Sequence, residues 1–310
     1  VFILVGEHRR IRSFIFPIHN IWLYLDVMSA LLEAGADVNA QDKDGWTVLM
    51  FSLRFNQDVE VTMAILKAGA DVNAQDKNGK TPLMIAARYN QDPKVTIALL
   101  NAGVHVNAHD IDGWTPLMYA ARFNQSPEVF NVMLQAGADL EDHEKEGWTP
   151  LMIAAEKNQN PKVIGTLLDA GADVEAQNEY GTTPLMAAAA NNQELEVINI
   201  LLQAGADTKA QRMDGQTALM AAAAKNSNPD VITVLLKGGA NLKARSKDGR
   251  TALMYAARYN ANPEVIVTLL KAGADAKLKD DEGKTAFDYA QINSKVNDTE
   301  GYRQLQEASQ

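Results

Sequence analysis

Residues 79–112 read GKTPLMIAARYNQDPKVTIALLNAGVHVNAHDID, and this stretch decides the fold. Thr81 before Pro82 suits a helix N-cap followed by proline in the first turn, where a missing N–H is no loss. Leu83, Met84, Ala86 and Ala87 then give a short helix with small residues on one side, so a second backbone can come close. Asn90 is expected to end that helix in the left-handed conformation that asparagine tolerates. Asp92 and Pro93 repeat the cap-and-proline signal. Val95, Ala98, Leu99 and Leu100 are the apolar positions of a second helix, which Gly103 closes. From Val104 to Asp112 the chain is too polar and turn-rich for a helix. Asp-x-x-Gly turns, Asp76 to Gly79 and Asp110 to Gly113, make it a hairpin-like loop.

The pattern recurs every 34 residues. One glycine series runs from Gly45 to Gly283 and a second from Gly35 to Gly273; together they hold 16 of the 20 glycines, so most glycine serves the repeat. Thr47, Thr81, Thr115 and their successors keep the same step, as do Met50, Met84, Met118 and Asn56, Asn90, Asn124. Seven full repeats span Gly45 to Glu282, with a partial one at each end. One such helix–turn–helix–loop cannot bury its apolar face alone, but stacked neighbours bury it for each other. The 310 residues therefore read as one elongated all-α domain rather than the roughly two globular domains that length alone suggests.

A 34-residue period also fits tetratricopeptide repeats, but their Trp, Leu-Gly and Tyr pattern is missing. Gly-x-Thr-Pro-Leu-Met-x-Ala-Ala followed by Leu-Leu-x-Ala-Gly-Ala-Asp-Val-Asn-Ala closely resembles the ankyrin repeat, over about Leu25 to Tyr289. The resemblance implies an all-α ankyrin-repeat solenoid of stacked helix-turn-helix units with hairpin-like loops. Three departures stand out. Each repeat is one residue longer than the family's usual length, the extra residue lies in an Asn-x-x-Pro turn between the helices, and methionine replaces the family's Thr-Pro-Leu-His histidine. Met84 and its equivalents are read as space-filling core.

The ends differ from the middle. Residues 283–310 read as a C-terminal capping repeat: Asp288 stands where internal repeats have methionine, which suits a polar outer face. A last helix is expected over Asp298 to Ala308. Leu25 to Leu32 matches the second helix of a partial repeat, so the repeats occupy 25–282. Residues 1–24 match nothing. They fit a degenerate first helix covering the stack end, a non-native or disordered leader, or a remnant of an export signal or anchor.

Signs of catalysis are weak. Cysteine is absent, which excludes disulfides, thiolate metal sites and a cysteine nucleophile and fits a reducing, cytoplasmic setting without excluding export. No apolar run approaches the roughly 20 residues of a membrane span. Gly79-Lys80-Thr81 and Gly283-Lys284-Thr285 lack the upstream glycine of a phosphate loop; Ala74 and Leu278 stand there. His109 and His143 sit one repeat apart, too far to share an ion, and His105 lies in a loop. Asp42-Lys43-Asp44-Gly45 and Asp280-Asp281-Glu282-Gly283 are turns rather than calcium loops. No serine–histidine–acid set assembles. The reading is of no catalytic residues, no cofactor and no metal.

Proteins that the repeat resembles bind partners through hairpin tips and the exposed side of the first helix. Carried over by position, the informative residues are those that vary within a fixed frame. The residue after the hairpin glycine reads Trp46, Lys80, Trp114, Trp148, Thr182, Gln216, Arg250, Lys284. The first-helix ends read Arg54-Phe55, Arg88-Tyr89, Arg122-Phe123, Glu156-Lys157, Ala190-Asn191, Ala224-Lys225, Arg258-Tyr259. Trp, Tyr and Arg dominate binding hot spots. The candidate partner-binding residues are thus Trp46, Arg54, Lys80, Arg88, Tyr89, Trp114, Arg122, Phe123, Trp148, Arg250, Arg258 and Tyr259. The tryptophans also fit packing on a neighbour, and Phe55, Tyr89 and Phe123 fit filling of the longer turn.

Net charge is −10, which argues against indiscriminate nucleic-acid binding. It is uneven: residues 209–284 hold 13 basic and 8 acidic side chains. Lys243, Arg245, Lys247 and Arg250 read as one basic loop and Lys277, Lys279 and Lys284 as the next, while Glu141, Asp142, Glu144 and Glu146 make an acidic loop. The pattern fits ordinary solubility charge or a bipolar groove that orients a partner. The sequence therefore reads as a monomeric, non-enzymatic protein-binding scaffold. The alternatives are a structural or designed repeat module without a dedicated partner, and nucleic-acid binding through the basic C-terminal half.

Overall fold

The computed structural model describes residues 35–56 and 58–310. The atypical segment 1–24, the expected helix Leu25–Leu32, His8 and His19 lie outside the described residues. Among the described residues there are sixteen helices and no strand. The fold is an all-α repeat fold, and its contacts group into two compact units that divide between Lys145 and Glu146.

In the first unit the first helices of successive repeats are Val48–Phe55, Pro82–Tyr89 and Pro116–Phe123, and the second helices are Val59–Lys67, Pro93–Asn101 and Pro127–Gln135. First helices pack on first helices and second on second. In Pro82–Tyr89 every residue from Pro82 to Ala87 is buried, because neighbouring helices enclose it and the alanines let them approach. The second helix Pro93–Asn101 buries only Val95, Thr96 and Leu99. Ala98 and Leu100, expected as core, are half-buried, and Thr96 takes the inner position instead.

In the second unit the first helices are Pro150–Lys157, Pro184–Asn191, Ala218–Lys225, Ala252–Tyr259 and Ala286–Ile292. The second helices are Pro161–Asp169, Leu195–Gln203, Asp230–Lys237, Glu264–Lys271 and Glu300–Ser309, stacked in the same manner. The last helix begins at Glu300 rather than Asp298, because Thr299 supplies the N-cap oxygen and Asp298 takes φ 62°. Asp288 of the expected cap is exposed, and its carboxylate accepts from the Thr285 N–H and hydroxyl at 2.7 and 2.8 Å.

Two expectations about the repeat need correction. The backbone of Asn90 is not left-handed but extended, at φ −107° and ψ 121°. Its side chain is fully buried and donates to the Leu53 carbonyl at 3.0 Å. Asparagine is needed here for its amide, not for its backbone freedom. Asn124 donates likewise to Ala87 and Asn90, Asn226 to Ala189 and Asn192, and Asn260 to Ala223 and Asn226. Met84 also does more than fill space. Its sulfur accepts the Thr81 N–H at 3.4 Å while Thr81 Oγ1 accepts the Met84 N–H, so methionine closes a capping box. Met118 and Met254 do the same.

The sixteen repeat glycines all have positive φ. Two show the separate reasons. Gly79 turns the hairpin at φ +75°, and a Cβ there would lie 3.1 Å from the Ile111 nitrogen of the next hairpin. Gly103 follows the second helix at φ +86° with open space around it, so only the backbone requires glycine.

Candidate functional site

The hairpin turn positions the residue after its glycine. Asp76 Oδ1 accepts the N–H of Asn78 at 2.8 Å and of Lys80 at 2.9 Å. Asp42 and Asp110 hold the backbone N–H of Trp46 and Trp114 in the same way, each at 2.9 Å. Successive hairpins are tied by Lys77 N–H to the Asp44 carbonyl and Ile111 N–H to the Asn78 carbonyl. The varying side chains thus stand on a rigid register.

In the first unit these side chains meet the ends of the first helices. The Trp46 ring lies 5.2 Å from Phe51 and the Trp114 ring 5.4 Å from Tyr119. Tyr119 is buried, and its hydroxyl donates to Asp110 Oδ2 at 2.7 Å. Burial first, then that hydrogen bond and the Asp110 charge, push the phenol far above its ordinary value, so Tyr119 remains a donor. Lys80 Nζ sits 5.6 Å above the same ring.

The arginines alternate with rings. The Arg54 guanidinium lies 5.6 Å from Trp46, 5.0 Å from Phe55 and 5.3 Å from Tyr89. Arg88 lies 5.1 Å from Tyr89 and 4.2 Å from Phe123. Arg122 lies 5.3 Å from Phe123 and 5.7 Å from Trp114. These are cation–π distances, and two of them, Arg54–Tyr89 and Arg88–Phe123, cross from one repeat to the next. The structure therefore brings together Trp46, Arg54, Lys80, Arg88, Tyr89, Trp114, Arg122 and Phe123, and adds Phe51, Phe55 and Tyr119. Among the described residues the ion pairs of this unit, Lys77–Asp44, His109–Asp142 and Lys145–Asp112, use none of the three arginines. The His109 ring lies 2.8 Å from the Asp142 carboxylate.

The second unit arranges its candidates differently. Trp148 is half-buried beside Thr149. Arg258 lies 5.1 Å from Tyr259 and 5.0 Å from Tyr289. Arg250, read as part of a basic loop, pairs with Asp248 at 2.7 Å, Asp280 at 3.4 Å and Glu282 at 3.2 Å, and donates to the Tyr289 hydroxyl at 3.0 Å. Its charge is matched internally, and Lys284 is likewise paired with Glu282. Burial alone would raise the Asp280 carboxyl. Hydrogen bonds from Tyr289, the backbone of Lys284 and Glu282, and Arg250 outweigh it and hold the group below its ordinary value.

A groove of about 790 Å³ opens beside this network. Its lining includes Arg212, Lys225, Lys247, Tyr255, Tyr259 and Lys295. Of these six, only Tyr259 is among the sequence candidates. One signal pointed to the tyrosines: the fourth first-helix position reads Phe51, Ile85, Tyr119, Ile153, Ala187, Ala221, Tyr255, Tyr289. That position varies while the frame around it holds, although most of its side chains are buried. Among the described residues no group of three or more histidines or acids is arranged to hold a metal ion, and no helix is long and apolar enough to cross a membrane.

A family model described as ankyrin repeats in three copies matches this chain over residues 21–110, 55–144, 94–178, 117–212, 185–280 and 220–300. Among solved structures, the human ASB11 ankyrin repeat domain is similar, with a TM-score of 0.63 and 27% identity over 73% of this chain and 97% of that one. No curated protein matches.

Proposed function

Because the chain belongs to the ankyrin-repeat family, whose domains are generally protein-interaction modules, we propose that it is a non-enzymatic scaffold that binds another protein through its hairpin bases and first-helix ends. The arginine–aromatic ladder of the first unit carries this reading. Phe55 is 65% exposed at the end of a first helix, and large exposed rings beside arginine are a hot-spot composition. Trp46, Arg54, Lys80, Arg88, Tyr89, Trp114, Arg122 and Phe123 are the contact residues of the proposal, with Trp148, Arg258 and Tyr259 as contacts on the second unit. Arg250 is left out, since its three acidic partners already occupy it.

A photo-crosslinking amino acid placed at Phe55 or at Met63 tests the face. Met63 is 51% exposed on a second helix, so both sites are open to solvent. The expected result is a discrete protein adduct from position 55 and none from 63. Equal adducts from both positions, or none from 55, would overturn the reading.

A further inference from the structure

We infer that the arginine ladder of the first unit reads an acidic, proline-rich segment in the polyproline II conformation, with a carboxylate at every third residue. The inference rests on the reading of this face as the partner-binding face and names the chemistry of the partner.

Three observations carry it. First, among the described residues Arg54, Arg88 and Arg122 form no ion pair and donate no side-chain hydrogen bond to a protein acceptor, whereas Arg250 has three acids. Such an array offers local charge complementarity to carboxylates on a partner.

Second, the guanidiniums are held in place. Arg88 lies between Tyr89 at 5.1 Å and Phe123 at 4.2 Å, and Arg54 between Phe55 at 5.0 Å and Tyr89 at 5.3 Å. The rings flank the guanidiniums, whose planar N–H fork can bind a carboxylate bidentately.

Third, the spacing matches the ligand's conformation. The three arginines occupy the same position on consecutive first helices, which pack directly. Packed helix axes lie roughly 8–10 Å apart. A polyproline II segment has three residues per turn and about 3.1 Å rise, so its one-sided residues recur at about 9 Å. A β-strand presents one side at about 6.6 or 13 Å, and an α-helix at about 10.5 Å after seven residues. Proline rings also dock on aromatic surfaces, and the rings of Phe55, Tyr89 and Phe123 alternate with the cations.

Fluorescence anisotropy with two labelled nine-residue peptides of identical composition tests the proposal. One is Glu-Pro-Pro three times; the other has three glutamates followed by six prolines. The spaced peptide is expected to bind about tenfold more tightly, a difference between matched charges that only register explains. Arg88→Gln is expected to weaken it by about tenfold, and Arg88→Lys to recover only part, since lysine restores charge without the planar fork. Unchanged far-UV circular dichroism and melting would show the variants folded. Equal affinity for the two peptides, no binding of either, or tighter binding of a twelve-nucleotide thymidine oligomer would overturn the proposal. If the protein adduct from position 55 forms while the spaced peptide neither binds nor competes, only the ligand class falls. If the adduct fails as well, the binding face falls with it.

Discussion

The side-chain amide of Asn124 donates to the backbone carbonyl of Asn90, 2.7 Å away and 34 residues earlier, with both side chains fully buried. The same amide reaches the Ala87 carbonyl at 3.0 Å, while Asn124 Oδ1 accepts the Ser126 N–H. One side chain thus satisfies the open end of the preceding repeat's first helix and shapes its own inter-helix turn. Asn124→Ala leaves buried carbonyls unpaired and is expected to destabilise the first unit by about 2–4 kcal/mol. Urea denaturation measures this, and hydrogen exchange should show faster opening around Asn90. An unchanged midpoint would mean that water replaces the amide.

That ladder marks where legibility in the sequence stops. The 34-residue step of glycine, threonine and methionine exposes the fold because each residue acts locally: Thr81 caps its own helix and Gly103 ends its own. The role of Asn90 is hidden in the sequence because its partner, Leu53, is 37 residues away. Arg250 looked free because its acids come from two different hairpins. The pair Arg88-Tyr89 was visible as neighbours, yet the closest ring to Arg88 is Phe123 of the next repeat. Local chemistry is readable one repeat at a time; inter-repeat chemistry needs the stack.

Gly79 and Gly103 separate backbone strain from close approach. Both have positive φ, so Gly103→Ala is expected to cost about 1–2 kcal/mol from conformation alone. Gly79→Ala adds a Cβ 3.1 Å from the Ile111 nitrogen and 3.2 Å from the Asp110 Cα, both backbone atoms of the next hairpin. It should therefore destabilise more than Gly103→Ala and disturb the Ile111 to Asn78 bond. Comparing urea midpoints decides it; equal losses would show that the hairpins shift without resistance.

Asp280 makes the second unit sensitive to acid. Its folded pKa is lowered despite burial, because Tyr289, two backbone N–H groups and Arg250 bond the ionised form. A lowered carboxyl stabilises the fold fully above its unfolded value, about 3.9, and the contribution is lost as pH falls through the folded value. Asp280→Asn is expected to destabilise by about 1–3 kcal/mol at neutral pH. The gap between wild type and variant should stay constant from about pH 5 to 8 and narrow below about 4. Thermal melts across that range check it, and a gap that widens in acid would contradict the sign.

The excess of basic residues over 209–284 makes nucleic acid the rival ligand for the second unit. Lys225, Lys247 and Lys295 surround the groove, but Asp214 and Asp248 line it too, and Arg250 is already paired. Weak retention on single-stranded DNA is expected, without dependence on the groove lysines. Tight binding at about 50 mM salt that vanishes by about 200 mM, and falls further in Lys225→Gln and Lys247→Gln, would favour nucleic acid instead.

Trp114 tests whether the hairpin tryptophans serve packing or recognition. Its ring is half-buried, 5.4 Å from Tyr119 and 5.7 Å from Arg122. Its backbone N–H bonds Asp110, and alanine keeps that bond. Tyr119 also retains its own bond to Asp110. Trp114→Ala should therefore cost little stability, on the order of 1 kcal/mol for the lost ring contacts. Removing a hot-spot tryptophan typically costs at least about 2 kcal/mol of binding, or some thirtyfold in affinity. The adduct partner captured at position 55 supplies the ligand, and titration calorimetry the affinity. A loss of binding well beyond the loss of stability assigns the ring to recognition. A large drop in the urea midpoint with affinity unchanged in the folded fraction would make Trp114 a packing residue and leave Arg88, Arg122 and Phe123 to carry the face.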